Sequence, residues 1–317
     1  MNVILNTDPI ENRGAMVATV GLFDGVHLGH RHIINALRLR AAALGAQSMV
    51  VTFDQHPQHI LAPDKEPVKQ ISGILDRVNR LNEAQVDNML VFAFEDIVSL
   101  TAREFITKLR DDYGVVSLVM GYDNHIGSDR ADVSQCEALG EELGVSVARI
   151  SKAPLGDVSS TLIRHAIAHD GDMLKAHLML GHPFAIYGTV IHGERQGTAM
   201  GFPTANVGEL SSYQLMPKLG AYAVVVGLPD TRQHFPGMAG VSLRPTFALD
   251  PDDANSLSVE VNIFADNVGD IYGNNIIVYF IDRLRDEMKF DSPEALGKQL
   301  EQDRAKAMEK LQQFFSN

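Results

Sequence analysis

The chain has 317 residues, 45% hydrophobic and 21% charged, a globular composition that at ~100–200 residues per domain suggests two domains. A formal net charge of −13 and a pI near 5.3 argue against nucleic acid or an anionic membrane as the main partner, because both select cationic surfaces. The single cysteine, Cys136, excludes an intramolecular disulfide and a thiolate zinc cluster, fits a reducing compartment and reads as a structural thiol.

The first 20 residues carry Asp8, Glu11 and Arg13 and no continuous apolar stretch. Neither a signal peptide nor a membrane span is expected, and a cytoplasmic location follows. An apolar strand (Met16–Val20), a Gly-rich turn, an amphipathic helix (about His30–Ala43) and a second apolar strand (Ser48–Phe53) then form a βαβ unit, which implies a parallel sheet with right-handed crossover. The alternation continues through helices near Ile74–Gln85, Ala102–Tyr113 and Val133–Leu143 and strands MLVFAF, VVSLVMG and VSVARI. This is a doubly wound, Rossmann-type α/β domain, with ligands expected at the carboxyl ends of its strands.

A Ser-rich cap (Asp157–Thr161) opens the helix LIRHAIAHD, a helix near Asp172–Leu180 follows, and GHPF at 181–184 reads as the boundary between domains 1–182 and 183–317. Beyond it, FAIYGTVIHG, AYAVVVG, GMAGVSL, SLSVEVNIF and NIIVYFIDRL are strands separated by turn residues, which suggests a small antiparallel β-barrel. A terminal helix covers about Pro293–Phe314.

The first chemical constellation is HLGH, where His27 and His30 flank Gly29 between a strand and a helix. Unpaired amides and the dipole at a helix start favour anions, and two imidazoles there can hydrogen-bond a triphosphate. Two solvent-facing histidines in a turn are the plain alternative. SSTLIR at 159–164 supplies a second hydroxyl-rich helix start with Arg164 one turn inside, although Ser159, Ser160 and Thr161 also make an ordinary N-cap.

Together, GLFDGVHLGH, TFDQHP and SSTLIR resemble the FMN adenylyltransferase domain of bacterial bifunctional riboflavin kinase/FAD synthetases over roughly residues 16–170. The resemblance implies transfer of AMP from ATP to FMN with release of pyrophosphate. His27 and His30 would stabilise the transition state at the α-phosphate. Gly21, Phe23, Asp24 and Gly29 would form the ATP loop, and Ser160, Thr161 and Arg164 would hold the pyrophosphate. Catalysis would rest on positioning and charge stabilisation. GYDNHIG at 121–127 departs from the family pattern, with Asn124 and Ile126 where two phenylalanines are usual, and the following SDRAD is a residue short.

The second constellation is the loop GFPTAN at 201–206, where Thr204 and Asn206 offer two neutral oxygens on alternate residues. Hard oxygen ligands suit Mg²⁺ bound with nucleotide phosphates, while Thr-x-Asn also caps ordinary turns. Glu260 in SLSVEVNIF shares a strand face with Ser258 and Asn262. It is either a solvated carboxylate or a general base for a substrate hydroxyl. GFPTAN, RPTF (244–247), VEVNIFAD, DIYG (270–273) and LRDEMKF (284–290) occur in the order found in riboflavin kinases, a resemblance over about 183–310. It implies that Gly201, Thr204 and Asn206 hold the Mg²⁺–ATP, Glu260 activates the riboflavin 5′-hydroxyl, and Arg285 lies near the flavin or its new phosphate. Thr198 and Ala199 stand where an Arg is usual, and Gly240–Ser242 replace Asn–Ile–Gly, so the phosphate loop is less basic than the pattern.

The expected function is bifunctional flavin biosynthesis, with riboflavin, FMN, FAD and ATP as ligands and Mg²⁺ as cofactor. The alternatives are an active kinase with a weakened or altered adenylyltransferase, and a non-catalytic flavin-binding regulator.

Overall fold

A computed structural model describes residues 1–6, 14–154, 156–191, 204–229, 231–243, 257–265 and 268–316. The chain divides into two compact units, Met1–Val68 with Ile74–Val158, and Lys69–Gly73 with Ser159–Asn317.

The first unit contains β1 (Asn2–Leu5), β2 (Met16–Val20), α1 (Leu28–Leu44), β3 (Gln47–Phe53), α2 (Pro57–Leu61), α3 (Ile74–Glu83), β4 (Asn88–Phe92), α4 (Phe94–Ile97), α5 (Ala102–Tyr113), β5 (Val115–Gly121), α6 (Val133–Leu143) and β6 (Ser146–Ile150). The strands form one parallel sheet in the order β1-β4-β3-β2-β5-β6. Both faces are covered, which is why its central strands read as continuous apolar runs. In β2, Met16 and Ala18 enter one core layer with Met49, Leu118 and Phe105, while Val17 enters the other with Ile34, Leu37 and Leu81. Reciprocal caps start two of the helices, Thr101 with Glu104 on α5 and Asp132 with Gln135 on α6. Cys136 is buried against Ala131 O, and burial pushes its thiol up to about 11, as expected of a packing residue.

The strand order changes direction at β2. From it the chain builds β3 and β4 outward on one side and later β5 and β6 on the other. The crevice between the carboxyl ends of β2 and β5 is therefore the topological switch point, the expected ligand position in such sheets. HLGH follows β2, and GYDNHIG follows β5.

The second unit contains α7 (Ser160–His165), a π-helical turn (Ala166–Asp170), α8 (Met173–Leu180), β7 (Phe184–Ile191), β8 (Thr204–Gly208), β9 (Gly220–Leu228), β10 (Gln233–Leu243), β11 (Leu257–Ile263), β12 (Asn275–Arg285) and α9 (Pro293–Ser316). The strands close an antiparallel barrel in the order β10-β11-β8-β7-β12-β9. Val190, Val207, Val259 and Val241 are consecutive cross-strand partners in one row and all are buried. Their neighbours Asn206 and Glu260 are more exposed, so the valines point inward and the polar residues outward. Ala307 and Leu311 of α9 pack with Ala223, Val225, Met238 and Ile281 on the outer wall.

Among the strands, two differ from the sequence expectation. The strand β1 pairs with β4 from only four residues, too short to show a period. Thr204 and Asn206, expected in a loop, lie on β8. The segment Gly-Phe-Pro-Thr-Ala-Asn has turn composition, and the partners β7 and β11 supply the ladder that its own propensity does not.

Candidate active sites

In the α/β unit the chain leaves β2 at Gly21 and turns tightly. Phe23 and Val26 have φ of 54° and 39°, left-handed conformations that cost roughly 1–3 kcal/mol at a non-glycine residue. A Cβ on Gly21 would stand 3.2 Å from the Phe23 ring, and one on Gly29 would stand 3.1 Å from Nδ1 and Cε1 of His27. These two glycines thus make room for the protein's own rings. His27 is the N-cap of α1, with Nδ1 accepting from the backbone N of His30 at 3.3 Å. The His27 and His30 rings stack at 3.6 Å between centroids with planes 16° apart, and Phe23 lies 5.0 Å from His30. Asp24 is buried in the turn.

Because His27 Nδ1 is an acceptor, the neutral ring carries its proton on Nε2. His30 Nδ1 is buried and meets no hydrogen-bond partner among the described residues. Burial first, and the neighbouring His27 second, hold the His30 pKa well below 6.5. The folded ring therefore refuses a proton that the unfolded chain takes up as pH falls through 6.5, so stability is present above that pH and lost below it. The urea midpoint should fall between pH 7.5 and 5.5, and His30→Gln should flatten that fall. His177, lowered by burial, contributes a slope of the same sign, so some pH dependence should persist.

Across the switch point, Asn124 Nδ2 donates to Val20 O at 3.3 Å and its backbone N to Gly121 O at 3.1 Å. Asn124 thus ties the β5 loop to the end of β2. Ile126 is buried in the core beside Ala131. Restoring the ring the family pattern places there should overpack this core, and Ile126→Phe is expected to destabilise by about 1–3 kcal/mol, read as a lowered Tm.

Ser160, Thr161 and Arg164 belong to the second unit, on the six-residue α7, whose N-cap Ser159 accepts from Leu162 N at 3.3 Å. Arg164 Nε donates to Lys69 O at 2.8 Å, and Gln70 pairs with Tyr213 and Leu215 through backbone hydrogen bonds.

In the barrel, register brings together residues far apart in sequence. Asn206 pairs with Glu260 and Thr204 with Asn262, which puts Thr204, Asn206, Glu260 and Asn262 on one face of two adjacent strands, with directly opposed residues ~4.5–5.5 Å apart at Cα. The row continues from Glu260 to Gly240, from Gly240 to Ala221 and from Ala221 to Arg285. Among the described residues, a Cβ at Gly240, the cross-strand partner of Glu260, would meet nothing within 4 Å. Arg285 is engaged with the buried Asp303 of α9, at 2.9 Å from Nε and 2.8 Å from Nη2, and donates to Asp286 O. Gly201, Thr198, Ala199 and RPTF lie outside the described residues.

Sequence reasoning missed Arg77 and Thr52. Arg77 is fully buried on α3 and donates through Nη1 to Leu22 O at 3.0 Å, Thr52 Oγ1 at 2.9 Å and Phe53 O at 2.9 Å. Thr52 Oγ1 donates to Leu22 O at 2.9 Å. The only sequence signal is that Thr52 opens the conspicuous TFDQHP segment.

The chain is matched by the family models for FAD synthetase over residues 9–162 and riboflavin kinase over 180–311. It is 32% identical to the bifunctional riboflavin kinase/FMN adenylyltransferase of Bacillus subtilis, covering 97% of this chain and 95% of that protein. The chain belongs to the bifunctional riboflavin kinase/FMN adenylyltransferase family. Its relatives of that description include a Pseudomonas fluorescens protein, 37% identical with 94% and 93% of the two chains covered. A solved structure described as a macrolide-efflux protein from Streptococcus pneumoniae superposes with a TM-score of 0.82 at 31% identity, covering 96% of this chain and 98% of that one. Among the described residues no helix is long and apolar enough to cross a membrane.

Proposed function

We propose that this family member divides its two activities between separate residue sets: Glu260 with Thr204 and Asn206 for the kinase, and His27 with His30 for adenylyl transfer. The protein is a flavin-biosynthetic enzyme. Riboflavin and ATP give FMN and ADP, and FMN and ATP give FAD and pyrophosphate. The observation that carries the kinase assignment is the register placing Asn206 opposite Glu260.

In the kinase half, Glu260 accepts the proton of the riboflavin 5′-hydroxyl as its oxygen attacks the γ-phosphorus of ATP. The neutral oxygens of Thr204 and Asn206 fit Mg²⁺, which when bound neutralises charge on the nucleotide phosphates. As the family resemblance implies, Gly201 joins them at the nucleotide phosphates, and Arg285, anchored by Asp303, borders the flavin end. In the adenylyltransferase half, an FMN phosphate oxygen attacks the α-phosphorus of ATP. His27 Nε2–H and the His30 ring hydrogen-bond the oxygens on which charge builds, while the start of α1 faces the phosphates. Gly21, Phe23, Asp24 and Gly29 shape this loop, and Ser160, Thr161 and Arg164 receive pyrophosphate. The functional halves are 1–182 and 183–317, in a cytoplasmic protein whose acidic surface leaves phosphate capture to these local devices.

Purified protein incubated with riboflavin, ATP and Mg²⁺ should give FMN and then FAD by chromatography. FMN without FAD would favour the second reading, an active kinase with an altered adenylyltransferase. The motivating observation for that reading is the departure GYDNHIG at 121–127, whose Asn124 side chain donates to Val20 O at the switch point. Neither product would sink both readings.

A further inference from the structure

We propose that Arg77 is a positioning residue for adenylyl transfer, fixing the loop that carries His27 and His30 to the carboxyl end of β3. The proposal rests on the reading of those histidines as the adenylyl-transfer pair.

Arg77 is 1% exposed, the largest of the fully buried side chains among the described residues. Its surroundings on α3 are charged as well, since Asp76 and Arg80 are buried and Arg80 Nε donates to Asp76 at 3.2 Å. A buried guanidinium is costly beside an apolar side chain of similar volume, so its presence under this loop calls for a reason other than packing. Geometry supplies one. Arg77 Nη1 and Thr52 Oγ1 both donate to Leu22 O, and Arg77 also reaches Phe53 O. The direction of one loop carbonyl is thereby set by two donors, one of them directly on the β3 ladder. An apolar contact has no such directionality.

The next residue, Phe23, takes the left-handed conformation and puts its ring against His30. The turn Asp24–Val26 follows, and His27 caps α1. An unbroken chain of contacts therefore runs from Arg77 through Leu22 and Phe23 to His30. Asp24, Asp54 and Asp76 supply negative charge around the guanidinium and oppose the lowering of its pKa by burial.

The test uses Arg77→Lys and Thr52→Val in the full chain. A lysine keeps the charge but cannot reproduce the guanidinium geometry, and valine removes the hydroxyl while keeping the shape. Arg77→Lys should lower kcat for FMN-to-FAD conversion by about 10- to 100-fold, as expected for a displacement of ~1 Å. KM for FMN and ATP should change by less than about threefold, since binding is not the affected step. Thr52→Val should move the rate the same way by a smaller factor. Riboflavin phosphorylation, measured on the same samples, should be unchanged, and the His27 and His30 Cε1–H NMR resonances should shift in both variants.

Wild-type kcat and unshifted resonances in both variants would overturn the proposal. So would a rise in KM at constant kcat, or a loss shared equally by riboflavin phosphorylation. If Arg77→Lys fails to fold, Thr52→Val decides by the same criteria. If the unmutated chain makes no FAD, the reading of the histidines has failed, and the resonances alone still decide whether Arg77 positions them.

Discussion

Glu260→Gln is expected to lower FMN formation from riboflavin by about 10²–10⁴-fold, the range for loss of a general base, while conversion of supplied FMN to FAD stays at the parent rate. Gln preserves the size and hydrogen-bonding reach of the side chain but cannot take a proton. The backbone at this position is held on both sides, by Asn206 of β8 and Gly240 of β10, and the side chain is exposed. The substitution should therefore change stability by less than about 0.5 kcal/mol, so a large loss reports chemistry rather than unfolding. Initial rates at saturating riboflavin and ATP, with the thermal midpoint measured in parallel, check both parts.

His30→Ala is expected to lower FAD formation from FMN by about 10²–10³-fold, the usual loss for one preorganised donor to a developing oxyanion, with riboflavin phosphorylation unchanged. His30 is the cleaner of the two histidines to remove. His27 also caps α1 through the His30 amide, so His27→Ala would combine lost chemistry with up to about 1 kcal/mol of lost capping. The His30 backbone amide and its bond to His27 survive the alanine substitution. A rate series in FMN at saturating ATP should show the loss in kcat.

The α/β half was legible because both faces of its sheet are covered, which leaves uninterrupted apolar strands between amphipathic helices. The barrel was legible because β11 alternates Val259 and Val261 with Glu260. Its site was less so. The row joining Asn206 to Glu260 depends on the register of residues 54 apart in sequence, which no local pattern encodes. The strand identity of Thr204 was hidden by turn-forming neighbours. The glycines of GLFDGVHLGH mark backbone that approaches a ligand or turns sharply, and the structure adds that Gly21 and Gly29 make room for the rings of Phe23 and His27.

Arg77 was missed for a related reason. In ILDRVNRL the charged residues fall where an amphipathic helix shows its solvent face, yet Asp76, Arg77 and Arg80 are buried. Sequence reports which residues are ionisable but not which find partners that make burial tolerable. The same holds for Arg285, whose carboxylate partner Asp303 lies 18 residues away on α9.

The proposed division gives each of the two steps its own residue set. The most direct measurement assays Glu260→Gln and His30→Ala side by side, each once with riboflavin and once with FMN, with ATP and Mg²⁺ throughout. Glu260→Gln should leave riboflavin unconverted but turn supplied FMN into FAD, and His30→Ala should accumulate FMN without FAD. Equal impairment of both steps by either substitution in a folded protein would contradict it.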